Sequence, residues 1–259
     1  MSYVGVHRKQ FIEAASAPVE RHRSTRAALA SFFVLLSLCA SLSLLRLNVG
    51  TPGGGSIDRW TFGSGELRIA MALDGFDVLR HGGNESPLAL TSRGLTLGTA
   101  SETNSATYLQ RRMPGTVNRI GATAYFEPAL PGATGQVALL VSASPLSTDA
   151  SKFLAEVPNM AIHFVFDSET WFMSVWRHQG GQDVLGVGRF ATPLLGERSV
   201  EVIRRDDEVS IALPNGESVN FRDPRIASWS SEWATWELYE KGPGIKPAVL
   251  TQIWAGWEK

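Results

Sequence analysis

The chain has 259 residues, of which 44% are hydrophobic and 19% are charged, and its formal net charge is −1. This composition is too apolar for a disordered chain and lacks the basic excess of general nucleic-acid-binding proteins, so nucleic acid is not expected as a partner. The single cysteine, Cys39, excludes an internal disulfide and a CxxC-type zinc site.

The N-terminal part contains a segment that predicts a membrane span. Residues 27–45 carry no charge and would extend about 28 Å as a helix, which is enough to cross the hydrocarbon core of a bilayer. Arg26 and Arg46 flank the segment, and an arginine at the bilayer centre would cost about 2.5–3.5 kcal/mol. Basic residues concentrate before the segment. The positive-inside rule therefore predicts a cytoplasmic N-terminus and an extracytoplasmic C-terminal part, with the lipid bilayer as the partner of residues 27–45.

A cleaved signal peptide is the alternative interpretation of this segment. Small residues such as Ser41 and Ser43 have suitable spacing, but the leader and the apolar run are longer than usual, which favours an uncleaved anchor. Residues 36–39 also resemble a lipobox, although Leu38 stands where a small residue is expected. The sequence predicts a short basic cytoplasmic tail (1–26) and a transmembrane signal-anchor helix (27–46). A Gly/Pro/Ser linker (47–58) and an exported β-sandwich domain (59–259) follow.

Charge and composition follow the same division. Residues 1–46 carry a net charge of +4, and residues 47–259 carry −5. The acidic exported part argues against docking on anionic lipid or nucleic acid and agrees with ordinary solubility. Only five of the 24 basic residues are lysine, a composition typical of high-GC bacterial genomes.

The exported part shows short β-rich runs separated by turn residues, which predicts one all-β domain with a sandwich or barrel architecture. One short helix is predicted at residues 148–157. The strongest hairpin signal is at residues 213–217, where Asn215-Gly216 suits a type I′ turn and Pro214 shifts it. The predicted strands are residues 66–73, 76–79, 94–99, 106–112, 119–126, 136–142, 160–166, 171–177, 184–190, 200–204, 208–213, 218–221, 234–240 and 248–254.

The hairpin of residues 160–177 can be assigned face by face. If Ser168 and Glu169 form a two-residue turn, one face is fully apolar and belongs to the core. The core residues are then Met160, Ile162, Phe164, Phe166, Trp171, Met173 and Val175. The opposite face is both aromatic and polar, which is typical of a half-wet binding surface. It carries His163, Val165, Phe172, Ser174, Trp176 and His178.

The predicted strand 234–240 provides a second mixed face. Alternation puts Trp236 and Leu238 on one side, and Thr235, Glu237 and Tyr239 on the other. A carboxylate and a phenol can hydrogen-bond sugar hydroxyls, and an indole can stack on a pyranose ring. The alternative is that most of the C-terminal tryptophans fill the core, because tryptophan is highly buried on average.

These features together resemble the concanavalin A-like lectin/glucanase jelly roll over roughly residues 57–259. The resemblance rests on the long strands of residues 163–254, the Leu-Pro-Asn-Gly hairpin, the mixed face and the closing Trp-Glu strand. It implies an antiparallel two-sheet jelly-roll β-sandwich that binds or cleaves polysaccharides on its concave sheet. The E-x-D-x-x-E acids of the glucanase branch are missing, and the calcium and manganese ligands of legume lectins have no assigned counterpart.

The sequence contains no G-x-S-x-G, P-loop or H-E-x-x-H motif, and its histidines do not fall in a metal-ligand spacing. A triad of Ser174, His163 and Asp183 can be assembled on paper, as in any β-domain. A hydrolase or lyase alternative would use Glu237 as acid or base, with Asp183 or Glu127 as its second carboxylate. No catalytic residue, metal or cofactor is assigned.

The favoured prediction is a non-catalytic, membrane-anchored extracytoplasmic domain that binds a polysaccharide or glycoconjugate of the cell envelope. In this prediction Arg189 pairs with an acidic sugar or with Glu237, and binding is weak because the face is open. A structural module that docks on another envelope protein is a further alternative. The expected ligand-binding residues are His163, Phe172, Trp176, His178, Arg189, Glu237 and Tyr239.

Overall fold

The computed structural model describes residues 55–63, 72–82, 88–97, 105–128, 134–146, 160–176, 181–241 and 248–259. These residues belong to one compact unit that spans Thr51–Lys259. The predicted anchor at 27–45, most of the strand predicted at 66–73, the helix predicted at 148–157 and His178 lie outside the described residues. Among the residues described, no helix has the length and apolar character needed to cross a membrane.

Strands account for most of the described chain. In chain order they are β1 (Ser56–Thr61), β2 (Asp77–Gly82), β3 (Leu88–Leu90), β4 (Leu95–Leu97), β5 (Ser105–Arg112), β6 (Thr116–Phe126), β7 (Thr134–Ser142), β8 (Ala161–Phe166), β9 (Thr170–Trp176), β10 (Gln182–Arg189), β11 (Gly196–Arg205), β12 (Glu208–Ala212), β13 (Ser218–Arg222), β14 (Trp233–Lys241) and β15 (Val249–Glu258). A short 3-10 helix, Pro224–Ser228, follows β13 and is capped by Asp223.

The strands form two antiparallel sheets. The first sheet has the order β13-β12-β11-β6-β15-β4-β3, with β1 also paired to β15, and the second has the order β10-β9-β8-β7-β14-β5-β2. The prediction of an all-β, two-sheet antiparallel sandwich is thereby confirmed. The adjacent strands β9, β8, β7 and β14 of the second sheet bring residues distant in sequence onto one sheet face.

Two strands were not predicted from the sequence. The first, β1, pairs with β15 from Ser56 opposite Trp257 to Thr61 opposite Gln252. The sandwich therefore begins inside the stretch interpreted as a linker, 47–58. The second, β3, has only three residues and is held by β4.

The core between the sheets is built from large apolar side chains. Among the largest fully buried residues are Trp236, Phe164, Phe166, Leu139, Ile120 and Met173. Burying a side chain of this size contributes about 1.5–3 kcal/mol. Trp236 on β14 also donates its Nε1–H to the carbonyl oxygen of Gly121 on β6 at 2.9 Å, which joins the second sheet to the first.

The β8–β9 hairpin has the register predicted from the sequence. Ile162 lies opposite Val175, Phe164 opposite Met173 and Phe166 opposite Trp171. Asp167 stabilises the turn, because its Oδ1 accepts hydrogen bonds from the backbone N–H groups of residues 169 and 170 at 2.7 and 2.6 Å. The predicted core face packs in the main core, with the two end residues Met160 and Trp171 partly buried against it.

The β12–β13 turn differs from a type I′ turn. Gly216 has a φ of +89°, whereas Asn215 does not adopt a positive φ. The N–H of Gly216 donates to the carbonyl of Leu213 at 3.0 Å, which places Pro214 at the second position of the turn. Because the proline ring fixes φ near −65°, this position cannot take the positive φ of a type I′ turn.

Candidate functional site

The second sheet is covered on both faces. Its inner face packs in the main core, and its outer face forms a separate apolar cluster. We call the outer side of β5, β14, β7, β8, β9 and β10 the outer face. The cluster consists of buried Ala106, Tyr108, Ala138, Leu140, Leu146 and Val165, together with partly buried Leu79, Phe172, Trp176 and Tyr239.

Glu237 and His163 meet near the centre of this face. Glu237 on β14 lies opposite Ala138 on β7, which lies opposite Val165 on β8, two residues after His163. Adjacent strands are about 4.8 Å apart, so β14 and β8 are separated by about 10 Å. Because Ala138 has only a methyl side chain, the two longer side chains can approach over it. The His163 Nε2 lies 3.8 Å from the Glu237 Oε2.

Tyr108 contacts the second carboxylate oxygen of Glu237. Its hydroxyl donates to the Glu237 Oε1 at 3.1 Å, and the residue is 5% exposed. Burial, followed by the negative charge of Glu237, raises the pKa of Tyr108 well above its usual value of 10.0. Burial and Glu237 also raise the pKa of Tyr239. Both phenols therefore remain neutral hydrogen-bond donors at physiological pH.

His163 is enclosed by aromatic rings. Its ring centroid lies 4.6 Å from that of Trp176 and 5.6 Å from that of Phe172, both in edge-to-face geometry. The residue is 6% exposed, which differs from the half-wet surface expected from the sequence. A segment after β7 contributes to the burial, since the N–H of Leu146 donates to the Gln110 Oε1 at 2.9 Å.

Several buried polar atoms on the outer face have no hydrogen-bond partner among the described residues. These are both ring nitrogens of His163, the Trp176 Nε1 and the Thr235 Oγ1. Buried side-chain polar atoms are paired in the large majority of cases, because an unpaired one costs about 1–3 kcal/mol. Such atoms also occur outside this face, at Thr107 and Trp229. The outer face differs in that His163 lies there between aromatic rings and a carboxylate, an arrangement that can recognise a polar ligand.

Arg189 does not belong to this cluster. It lies on β10 opposite Thr170, and its Nη2 is 2.7 Å from the Glu169 Oε2 in the β8–β9 turn. The expectation that it pairs with Glu237 is wrong. The register shift between Val184 and Gly186 leaves Arg189 on the same side of the sheet as Phe172, but β9, β8 and β7 separate β10 from β14 by about 19 Å.

The acids and the serine proposed for catalysis have other partners. Glu127 pairs with Arg93 at 2.7 Å, and Asp183 pairs with Arg225. Ser174 donates to the His163 carbonyl oxygen and accepts from Gln182, so the triad of Ser174, His163 and Asp183 is not formed. In the described part of the chain, no group of three or more His, Cys, Asp or Glu side chains could hold a metal ion.

Sequence reasoning placed His163, Phe172, Trp176, Glu237 and Tyr239 on mixed faces, and the structure places them on one face of one sheet. It missed Tyr108, Gln110 and Leu146. Alternation within residues 106–112 places Tyr108 and Gln110 on a common face. The pairing of β5 with β14, which brings Tyr108 to Glu237, has no local sequence signal.

Comparison with known proteins supports the fold. No protein-family model and no curated protein matches the chain. The carbohydrate recognition domain of Emp46p in its potassium-bound form aligns with a TM-score of 0.56 at 8% identity, covering 77% of this chain and 96% of that one. A Bacillus subtilis protein of unknown function with a galectin-like fold aligns with a TM-score of 0.53 at 12% identity, covering 78% and 94%. The domain therefore shares its two-sheet β-sandwich fold with these proteins, in agreement with the architecture that its sequence resembles.

Proposed function

We propose that this domain binds carbohydrate on the outer face of its second sheet, without catalysis. The observation that carries the proposal is His163, which is buried, touches Trp176 and Phe172, and has two ring nitrogens without a hydrogen-bond partner. Small-molecule sites are mostly apolar and contain a few placed polar groups that fix orientation. Fold analogy agrees with this proposal, since Emp46p contains a carbohydrate recognition domain of the same architecture.

Each group on the face has a specific role in this proposal. The partly buried rings of Trp176 and Phe172 supply apolar contact for a sugar ring. The ring nitrogens of His163 and the Nε1 of Trp176 offer hydrogen bonds to hydroxyls. Glu237 accepts hydrogen bonds. Because His163 is only 6% exposed, a ligand that hydrogen-bonds its ring nitrogens must displace the protein groups that cover them.

Titration of the full-length chain with a panel of envelope polysaccharides tests the proposal. Trp176→Phe keeps an aromatic ring but removes the unpaired Nε1, so binding is expected to weaken about fivefold by calorimetry. Trp229→Phe is the matched control. Trp229 is also partly buried with an unpaired Nε1, but it packs on Arg204 of the first sheet. The proposal fails if no glycan binds, or if both variants bind as the wild type does.

We propose that residues 27–45 anchor this domain on the outer side of the membrane, which makes envelope polysaccharides and glycoconjugates its ligands. The uncharged segment and its basic N-terminal flank support this topology. Protease added to cells stripped of their outer envelope should digest the domain. Full protection of the domain in these stripped cells, with digestion after lysis, would contradict an extracytoplasmic location.

A second candidate is docking on another envelope protein, and the edge strand β10 favours it. Val184 and Val187 are 57% and 71% exposed, and they lie opposite Ser174 and Phe172 of the outer face. An exposed edge strand with apolar side chains is a suitable surface for pairing with another polypeptide. Crosslinking of wild type and Val187→Lys in cells separates this function from glycan binding. A specific crosslinked product lost in Val187→Lys, with glycan binding unchanged, would support docking.

A further inference from the structure

Glu237 is a mostly buried carboxylate that pairs with no lysine or arginine among the described residues. Its side chain is 13% exposed. One oxygen accepts the Tyr108 hydroxyl at 3.1 Å, and the other lies 3.8 Å from the His163 Nε2, which is beyond hydrogen-bond distance. Among the residues that the structure describes, no lysine or arginine forms an ion pair with it. A buried charge is costly unless it is paired, so this carboxylate is suited to a cation supplied by the ligand.

The surroundings of Glu237 also favour a positively charged ligand. Tyr108 and Tyr239 are neutral donors, and Arg189, the arginine expected at the site, pairs with Glu169 instead. The rings of Trp176 and Phe172 lie beside His163, and aromatic rings attract cations that approach over their faces. The negative charge of Glu237 would repel an anionic sugar, and no arginine among the described residues pairs with Glu237 or lies within this group of side chains to bind one.

The aromatic rings and the carboxylate lie around His163. The His163 ring centroid is 4.6 Å from that of Trp176 and 5.6 Å from that of Phe172, and its Nε2 is 3.8 Å from the Glu237 Oε2. The rings and the carboxylate are therefore close enough for one short glycan to contact both.

We propose that the glycan recognised on this face contains amino sugars with a free ammonium group, and that Glu237 binds this ammonium. The proposal rests on the carbohydrate-binding function proposed above and names its ligand class. The ammonium donates hydrogen bonds to the Glu237 Oε2, while a neighbouring sugar ring contacts Trp176 and Phe172. N-acetylation of the ligand removes the charge and with it this interaction.

Three sets of oligosaccharides of equal length distinguish the possibilities: glucosamine oligomers, N-acetylglucosamine oligomers and galacturonate oligomers. With the full-length chain, glucosamine oligomers are expected to bind about ten- to a hundredfold more tightly than the N-acetylated ones, with the preference reduced by added salt. Equal or tighter binding of N-acetylated or acidic oligomers would overturn the ligand class and leave carbohydrate binding intact. No binding of any glycan, including the envelope panel, would overturn the proposed function itself.

Substitution of Glu237 tests the assignment of the residue. Glu237→Gln should lower glucosamine affinity to the level of the N-acetylated oligomers and leave the latter nearly unchanged. Glu169→Gln is the matched control, because it removes an exposed carboxylate of the same sheet, in the β8–β9 turn, that already pairs with Arg189. A retained preference in folded Glu237→Gln would contradict the role of Glu237. If Glu237→Gln does not fold, the wild-type comparison still decides the ligand class, and Glu237→Asp, which keeps the charge, should retain the preference.

Discussion

Trp236 and Gly121 join the two sheets across the core, because the indole Nε1–H donates to the glycine carbonyl oxygen at 2.9 Å. Gly121 is also covered from the outer side of the first sheet by the indole of Trp254. A Cβ atom at position 121 would lie 2.2 Å from the Cε2 and Cζ2 atoms of that ring. The indole Nε1–H of Trp254 donates to the Glu201 Oε1 at 2.7 Å, and the guanidinium group of Arg59 lies over the Trp254 ring. One glycine therefore lies between two tryptophans on opposite faces of β6.

Gly121→Ala is expected to destabilise the domain by about 1–3 kcal/mol, because the added methyl group clashes with a ring that is fixed by two contacts. Urea unfolding measures the effect. In a Trp254→Ala background the clash is absent, so the same substitution should cost much less. An equal cost in both backgrounds would show that the close approach of Trp254 is not the reason for glycine at this position.

Arg225 connects the chain after β13 to the edge of the second sheet. It forms ion pairs with Asp223 and with Asp183 on β10. The side-chain hydrogen bonds from Arg225 lower the pKa of Asp223 below its ordinary 3.8. A lowered carboxyl pKa in the folded state contributes stability above pH 3.8, and this contribution is lost as the pH falls through the folded-state value.

Arg225→Gln should therefore cost about 1–2 kcal/mol near neutral pH, a modest value because the guanidinium is partly exposed. The stability difference from the wild type should shrink as the pH falls below 3.8. Thermal unfolding at a series of pH values checks both expectations. A difference that stays constant into the acid range would contradict the role assigned to Asp223.

Local sequence patterns predicted the β8–β9 hairpin correctly, but they could not predict which strands distant in sequence pair with each other. The register of β8 with β9 followed from period-two alternation and a two-residue turn, both of which lie within 17 neighbouring residues, Met160–Trp176. The same alternation assigned Trp236 to the core and Glu237 to the opposite face. By contrast, the meeting of Glu237 with His163 depends on β7 lying between β14 and β8, which is a property of the whole sheet.

The incorrect expectations have physical causes. β1 was missed because Ser56–Thr61 follows a run of glycines and is held mainly by pairing with β15. Arg189 does not reach Glu237 because β9, β8 and β7 lie between β10 and β14, which separates these two strands by about 19 Å. At Gly186 a Cβ would lie 2.5 Å from the ring of Phe221, so packing from the first sheet requires glycine there.

Tyr108 should make the domain sensitive to alkaline pH. Its pKa is raised in the folded state, so above pH 10 the unfolded chain loses the phenolic proton while the folded chain keeps it. The stability that Tyr108 contributes is present below pH 10 and is lost as the pH rises toward the folded-state pKa. Tyr108→Phe removes this titration. The stability advantage of the wild type over Tyr108→Phe should therefore decrease above pH 10, as measured by denaturant unfolding. An advantage independent of pH would contradict the burial of this phenol.

His163→Leu should separate stability from function. Both ring nitrogens of His163 are buried without a hydrogen-bond partner among the described residues. Its neighbours are the rings of Trp176 and Phe172 and the Glu237 carboxylate, which at 3.8 Å is beyond hydrogen-bond distance. Replacing an unpaired buried polar group by an apolar one of similar size is neutral or stabilising, so the free energy of unfolding should rise by about 0–2 kcal/mol. Glycan binding should be lost at the same time, because the leucine cannot donate or accept a hydrogen bond. A residue kept at the expense of stability is expected at a functional site.

The neighbouring residue provides the control for this prediction. Phe164 lies on the core face of the same strand and is fully buried, so Phe164→Asp should unfold the domain by placing a charge in the core. Urea unfolding of the two variants, together with calorimetric titration of His163→Leu, gives the comparison. Destabilisation of His163→Leu by more than about 1 kcal/mol would indicate that the imidazole is a structural component of the outer face. Full glycan affinity in a folded His163→Leu variant would show that the unpaired nitrogens do not contact the ligand.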